Sequence, residues 1–475
     1  MQSMSWSMGL SVGAAGSGVV SHAGSALPRL VADRVGLTGA LSVALARKDF
    51  VPVHDRGRVL TDLGVLLADG GQRIADIVVL RDQGELFGPV ASAPTLWRTL
   101  NELDTAALRR VETARAQVRA RVWDLITARH GSIPASATCY GDLGSTVVIR
   151  LDATLVNVFS DKENAKPTFK KGYGFHPLTA WCDNTGEALA VQLRPGNAGS
   201  NTAADHVNLI DRAIAQIPAQ HRRDLLFTID GAGASHAVVT HLDGLNTHPA
   251  HGLRGRKINY SIGFDLDARA RTAITMLPAG VWEPALDAAG EARDDAHVAE
   301  LTGLLRHGRT GDQMASWPGD MRVIVRREPI AVQAQMSLFE QGDGYRYQVI
   351  ATNTAGGQVQ RLEARHRVQA RVEARIRTGK DTGLARLPSS HYAINTAWCH
   401  AVAIGVDLLA WTRLLTLDGK LAKAEPGTLR YRLLHVAARI VRGQRRRHLK
   451  IPTTWPWAKQ LVAAFTKALA IPAPT

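Results

Sequence analysis

The sequence has no paired cysteines. Cys139, Cys182 and Cys399 stand far apart with no Cys-x-x-Cys spacing, which excludes a disulfide framework and a cysteine-based zinc site. No Lys or Arg precedes Arg29, and glycines interrupt the first twenty residues, so neither a secretory signal nor a transit peptide is expected. The most apolar later run, AVAIGVDLLAW, is too short to cross a bilayer and contains Asp407. These absences predict a soluble, cytoplasmic chain with no membrane partner. There is no His-Glu-x-x-His, and the GAGAS stretch lacks the lysine of a phosphate-binding loop, which argues against a zinc hydrolase and a nucleotide hydrolase. Acidic residues are missing altogether after Glu425.

What is present is positive charge and apolar mass. With 475 residues and 45% hydrophobic content, the chain can bury more than one core, about three domains by length. Its net charge of +15 points to a polyanion, because Lys and Arg gain affinity by displacing counterions from phosphates. Nucleic acid is the first candidate.

Residues from about 34 to 130 read as helical. SAPTLWRTLNEL offers Ser92 as a cap, Pro94 in the first turn and a stripe of Leu96, Leu100 and Leu103. A second helix carries Leu108, Val111, Val118, Val122 and Leu125 on one side, with Arg109, Arg110, Arg119 and Arg121 largely off it. Both a helix-turn-helix-like DNA reader and an ordinary bundle fit this pattern. From about 145 the period becomes that of strands: TVVIRLDATLVNVFS, HPLTAWCD and GEALAVQLRPG, then a helix over ADHVNLIDRAIAQI and a strand DLLFTID. Three antiparallel strands, a helix and a further strand is the order of a ribonuclease-H-like sheet, although other α/β folds share it. KINYSIGF and YRYQVIATN mark a mostly β segment, and helices return from about 359 to 416 and from 429 to 442.

Two carboxylates end apolar strands: Asp152 in VVIRLDATLV and Asp230 in LLFTIDGAGAS. Strand ends in open α/β sheets are where ligands bind. If the two strands are neighbours the aspartates converge, and a divalent cation is a common way to keep both ionised. Either alone also fits a turn or a helix cap. For a third ligand, RLEARHRVQARVEARIRTGK offers Glu363 and Glu373, with Asp381 beyond; Glu373 and Lys380 are two helical turns apart and share a face if the helix extends that far. A solvated, charge-laced helix reads the same way.

The stretch from LDATLVNVFSDKENAKPTFKKGYGFHPL to NTAADH, with GLTGALSVAL, IDGAGAS, RVEARIRTGKDTGLARLPSSHYAINTAW and TLRYRLLHVAARIVRGQRRR, resembles transposases of the insertion sequence 1380 family, within the Asp-Asp-Glu transposases. The resemblance runs through most of the chain. It implies an α/β fold with a ribonuclease-H-like catalytic core, a β-rich insertion and flanking helical DNA-binding regions. By motif position Asp152, Asp230 and Glu373 are the catalytic and metal-binding residues, holding two Mg2+ ions, with Mn2+ as a substitute, for in-line cutting and joining of DNA. The implied partners are double-stranded DNA, as terminal inverted repeats and target, and further copies of the chain in a homodimer or larger assembly; the implied setting is a bacterial nucleoid. The implied boundaries are 1–140 for the N-terminal helical region, 141–254 and 358–418 for the two parts of the core, 255–357 for the insertion and 419–475 for the basic C-terminal region.

In the wider group's Tyr-Arg-Glu-Lys signature this chain has His366, Gln369, Glu373 and Lys380, so the tyrosine and arginine tied to gripping the cleaved strand are missing. Lys162, Lys170 and Lys171, Arg194 and Asn197, and Arg371 with Lys380 are candidate DNA contacts near the metal site, each lysine being equally readable as solvated surface. Trp282 and Trp317 are candidates for stacking on a base, or core fillers of the β segment. In RYRLLHVAARIVRGQRRR, Arg432, His435, Arg439, Arg442 and Arg446 follow the three-and-four spacing of one helix face, which predicts a positive stripe for phosphate. A nuclease that cuts without joining, or a non-catalytic DNA-binding derivative of a transposase, are the alternatives.

Overall fold

The computed structural model describes residues 11–474 except 12, 15, 49, 200–201, 232–234, 248–254, 309–310, 331–343 and 444–445. Its centre is one nine-stranded sheet. The strands in chain order are β1 (Val147–Ala153), β2 (Leu178–Cys182), β3 (Ala188–Gln192), β4 (Asp224–Ile229), β5 (Lys257–Phe264), β6 (Glu283–Leu286), β7 (Ala292–Glu300), β8 (Arg322–Pro329) and β9 (Tyr345–Thr352). Their spatial order is β6-β7-β8-β9-β5-β4-β1-β2-β3. Strands β1, β4 and β5 run parallel, while β2 is antiparallel to β1 and β3 to β2. A parallel centre covered on both faces needs near-continuous apolar runs, and Val147, Val148, Ile149 and Leu151 are all buried. Each strand expected from sequence forms. The segment expected as a β-rich insertion is continuous with the rest, because β5 pairs in parallel with β4 and β9 then adds to β5.

Helix α1 (Arg56–Asp69) packs on α6 (Tyr392–Thr416), and α2 (Thr105–His130) on α6 and α3 (Ala203–Gln216); α3, α4 (Val359–Arg367), α5 (Arg371–Gly379) and α6 pack on the sheet. The expected cap is present on the helix Ala93–Asn101, where Ser92 accepts from the Thr95 amide. Helix α6 is long and apolar enough to span a membrane, yet 89% of its apolar window is buried within the protein. It crosses α1 so closely that a Cβ on Gly405 would lie 3.0 Å from the Gly64 carbonyl oxygen, which is why glycine meets glycine there.

Arg119 differs from expectation. Instead of lying on the solvated side of α2, it is fully buried with Arg115. Arg115 and Arg119 each donate to Asp407 on α6 at 2.7 Å, and Arg119 also donates to Glu187 at 2.8 Å. The indoles of Trp123 and Trp411 donate to the same Glu187 carboxylate. A helix with charges at buried positions is stable only if every charge is answered, and here α2, α6 and the start of β3 supply each other's partners.

The C-terminal prediction is corrected. After a single turn at Arg430–Leu434, the chain forms a hairpin of β10 (Ala438–Gly443) and β11 (Arg446–Lys450), not a helix. Ala438 and Ile440 are buried and Arg439 is exposed between them, a two-residue alternation that seats one face on the protein. The two-residue strand Val19–Val20 pairs with β10 on its other side.

Candidate active site

The site is built from rows of residues across the parallel strands. Register pairs Arg150 with Thr228 and Thr228 with Ser261. Side chains two residues further along share that face, so Asp152, Asp230 and Gly263 form the next row at the strand ends. Gly263 has no room for a side chain: a Cβ there would lie 2.5 Å from the Gly231 amide nitrogen. The chain leaving β4 turns across it and carries Asp230 with it.

The lower row is a polar lock. Arg150 donates from Nη2 to Asp183 Oδ2 at 3.0 Å and from Nη1 to Thr228 Oγ1 at 3.1 Å. Thr228 donates to Gln369 Oε1 at 2.5 Å, and Gln369 Nε2 donates to the Leu151 carbonyl at 2.8 Å. His366 Nδ1 lies 3.0 Å from Ser261 Oγ, and burial pushes this imidazole down to about 4. The two positions that depart from the wider signature, His366 and Gln369, thus face the sheet and tie α4 and the turn after it to three strands.

Four residues beyond Gln369, α5 presents Glu373 at the surface. Its charge reaches Asp152: burial first, then the Asp230 carboxylate, and also Glu373, push Asp152 up to about 7 against one hydrogen bond from the Ala153 amide. The structure therefore brings Asp152, Asp230 and Glu373 into one electrostatic neighbourhood. They do not form a closed ligand shell: among the described residues, the group of three donor side chains whose ligand atoms all lie within 4.8 Å is His22, Asp69 and His435, elsewhere in the fold. His176 and His206, which sequence reasoning missed, are buried within range of the Asp230 charge, and burial lowers both.

The basic candidates divide. Lys170 and Lys171 are exposed, as is Asn197. Lys380 is half-buried, depressed by burial and by the neighbouring Lys170 ammonium, so these two cations share a locality. Lys162 donates to the Ser389 carbonyl at 3.0 Å. Arg371 is exposed and donates to the Ala137 carbonyl at 2.7 Å. Arg194 is corrected: it is buried, donates to the His176 carbonyl and pairs with Asp205 at 3.2 Å, so it braces the loop before α3. Trp317 is likewise a packing residue, edge-on to His236 and Phe264. One face of Trp282 carries the Arg327 guanidinium, 4.1 Å from the ring centre. Arg432 covers the Trp457 ring at 4.9 Å, Arg442 reaches Glu85 at 3.1 Å, and Arg439 and Arg446 are exposed on the hairpin. Residues 232–234 of the GAGAS stretch and Arg445 lie outside the described residues.

The sequence matches the family model for the transposase DDE domain, group 1, over residues 5–472. Among curated proteins, nothing matches it. Among solved structures the chain is similar to a piggyBac transposase, in a cryo-EM structure of its synaptic complex with hairpin DNA. The identity is 10%, covering 86% of this chain and 78% of that chain, with a TM-score of 0.37.

Proposed function

The chain belongs to the transposase DDE domain group 1 family, and from that premise we propose that it cuts DNA at the ends of an insertion sequence and joins those ends to target DNA. Within the family we assign it to the insertion sequence 1380 branch. The observation that carries this reading is the convergence of Asp152, Asp230 and Glu373, with Asp152 pushed up to about 7 by burial and by its two neighbours. The strand order β3-β2-β1-β4-β5, parallel at β1, β4 and β5, supports a ribonuclease-H-like core.

The donor set fits magnesium. It offers carboxylate oxygens alone, gathered where their own repulsion opposes full ionisation. Asp152, Asp230 and Glu373 would hold the metal, which supplies activation of the attacking oxygen and charge neutralisation at the leaving oxygen. The protein does the positioning. Arg150, Thr228 and Gln369 fix the strand ends and the glutamate helix in one register. Lys170 and Lys380 share one locality and would offer positive charge to a phosphate backbone, as would the exposed Arg439 and Arg446 of the C-terminal hairpin. Paired transposon ends imply at least two copies of the chain.

The test is magnesium-dependent cleavage of a DNA carrying the gene's own flanking sequences, comparing wild type with Asp230→Ala. Cutting by wild type alone, leaving a 3′ hydroxyl at a repeat boundary, is the expected result. Binding without cutting in magnesium and in manganese would identify a non-catalytic DNA-binding protein, and cutting without new strand joints a nuclease.

A further inference from the structure

Far from the three acids, His22, Asp69 and His435 meet, although Asp69 lies 47 residues after His22 and 366 before His435. Asp69 is the last residue of α1 and is 4% exposed. A carboxylate there faces the negative end of the helix dipole and is out of water, so it needs positive charge. Despite that burial, hydrogen bonds from His22, His435 and Ser25 hold it well below the usual carboxylate range.

The available partners are two imidazoles and one guanidinium. His22 Nδ1 lies 2.7 Å from Asp69 Oδ2, and His435 Nε2 lies 3.2 Å from Oδ1 and 2.8 Å from the Asp69 carbonyl oxygen. Their rings stack with centres 4.1 Å apart and planes 32° apart. Two imidazolium ions at that separation repel, two neutral imidazoles leave the carboxylate without its charge partner, and one imidazolium beside one neutral ring answers it only while that ring is protonated. Arg430 contributes from one side, but its guanidinium donates to the Ala68 and Leu67 carbonyls. A divalent cation answers the carboxylate without protonating either ring, since both rings stay neutral and ligate while the carboxylate stays ionised.

We propose that His22, Asp69 and His435 form a binding site for a borderline transition-metal ion, zinc foremost, that ties the N-terminal segment and the C-terminal hairpin to α1. Two nitrogens and one carboxylate select zinc over magnesium, which takes oxygen ligands. Two further features match a metal site. The Ser25 hydroxyl donates to Asp69 Oδ1 and orients the carboxylate from outside the ligand set. The side chains of His22 and His435 are 30% and 37% exposed, which gives an ion a way in. His22 also holds a left-handed backbone (φ 48°, ψ 32°), a conformation uncommon outside glycine that aims its ring at Asp69. The site is independent of the transposase reading.

The experiment uses the full chain, stripped with a chelator and titrated with zinc at neutral pH, followed by calorimetry and thermal melting. Wild type is expected to bind one more equivalent of zinc than His435→Gln or His22→Gln, and to melt higher with zinc than without. Asp152→Asn combined with Asp230→Asn should keep that equivalent, which separates this site from the carboxylate cluster. Ser25→Ala, which leaves all three ligands in place, should weaken it by about 10- to 100-fold. Cobalt should give a visible d–d band in wild type that the histidine variants lack. Equal uptake by wild type and His435→Gln, or a wild-type melting temperature that zinc does not move, would overturn the proposal and leave a metal-free hydrogen-bonded triad.

Discussion

Asp152 and Asp183 show how partners decide the state of a carboxyl group. Burial pushes both up, but Asp183 meets Arg150, whose hydrogen bond and charge, with a hydrogen bond from Ser136, bring it down to about 2. Asp152 meets Asp230 and Glu373 and goes to about 7. For Asp183 the folded value lies below the unfolded one, so its stabilisation is present above about pH 4 and is lost as pH falls towards 2. At 1.36 kcal/mol per unit, the wild type should lose about 2 kcal/mol over that window. Acid-dependent urea melts should show Asp183→Asn less stable at neutral pH and without this slope. Asp152 predicts the reverse: in a chelator at neutral pH, Asp152→Asn should match or exceed wild type by up to about 1 kcal/mol, because a penalised charge is removed. The same variant should cut no DNA in magnesium, so stability and activity part at one residue.

At the scale of elements, strand ends were the most legible feature of the site. An apolar, β-branched run closed by a carboxylate has few uses in a buried sheet, and both Asp152 and Asp230 stand at such ends. The polar lock beneath them was not legible, because Arg150, Thr228 and Gln369 meet only through strand order and helix packing. Nor was the hairpin. The spacing of Arg432, Arg439, Arg442 and Arg446 satisfies a helix face, and the competing signal, Ala438 and Ile440 inward with a glycine at the turn, spans too few residues to outweigh it. The hairpin sharpens the charge argument. Register sets Arg442 opposite Arg447, where Glu85 answers the charge, and Arg439 opposite Lys450; like charges directly across a ladder are destabilising unless an anion lies over them. If the hairpin tracks a DNA backbone, Arg439→Ala with Arg446→Ala should weaken binding to all DNA sequences alike. The slope of log affinity against log salt should fall by about 2, because two phosphates would no longer be neutralised by the protein. An unchanged slope in anisotropy titrations would remove the hairpin from the DNA interface.

The whole molecule is bound together by interactions that ignore the boundaries expected from sequence. Residues of the N-terminal helices, the sheet and α6 belong to one continuous apolar core. Where α1 crosses α6 the backbones meet at Gly64 and Gly405, and α2 reaches α6 through Arg115 and Arg119 on Asp407. The charges make this coupling strict. Removing one member of a buried ionic group leaves the others desolvated and unpaired, at a cost of about 3–5 kcal/mol. Asp407→Leu should therefore destabilise the N-terminal region and the core together, in one cooperative transition seen equally by circular dichroism and by tryptophan emission. A fragment of residues 1–140 puts the same point to a harder test. It contains Arg115, Arg119 and Trp123 without Asp407 or Glu187, and α1 without α6, so it would expose two arginines and a wide apolar face at positions buried in the full chain. Rapid proteolysis and weak helical signal are the expected result. A protected, fully helical fragment would mean that the N-terminal region is a separable folding unit and that the buried network is only a docking contact.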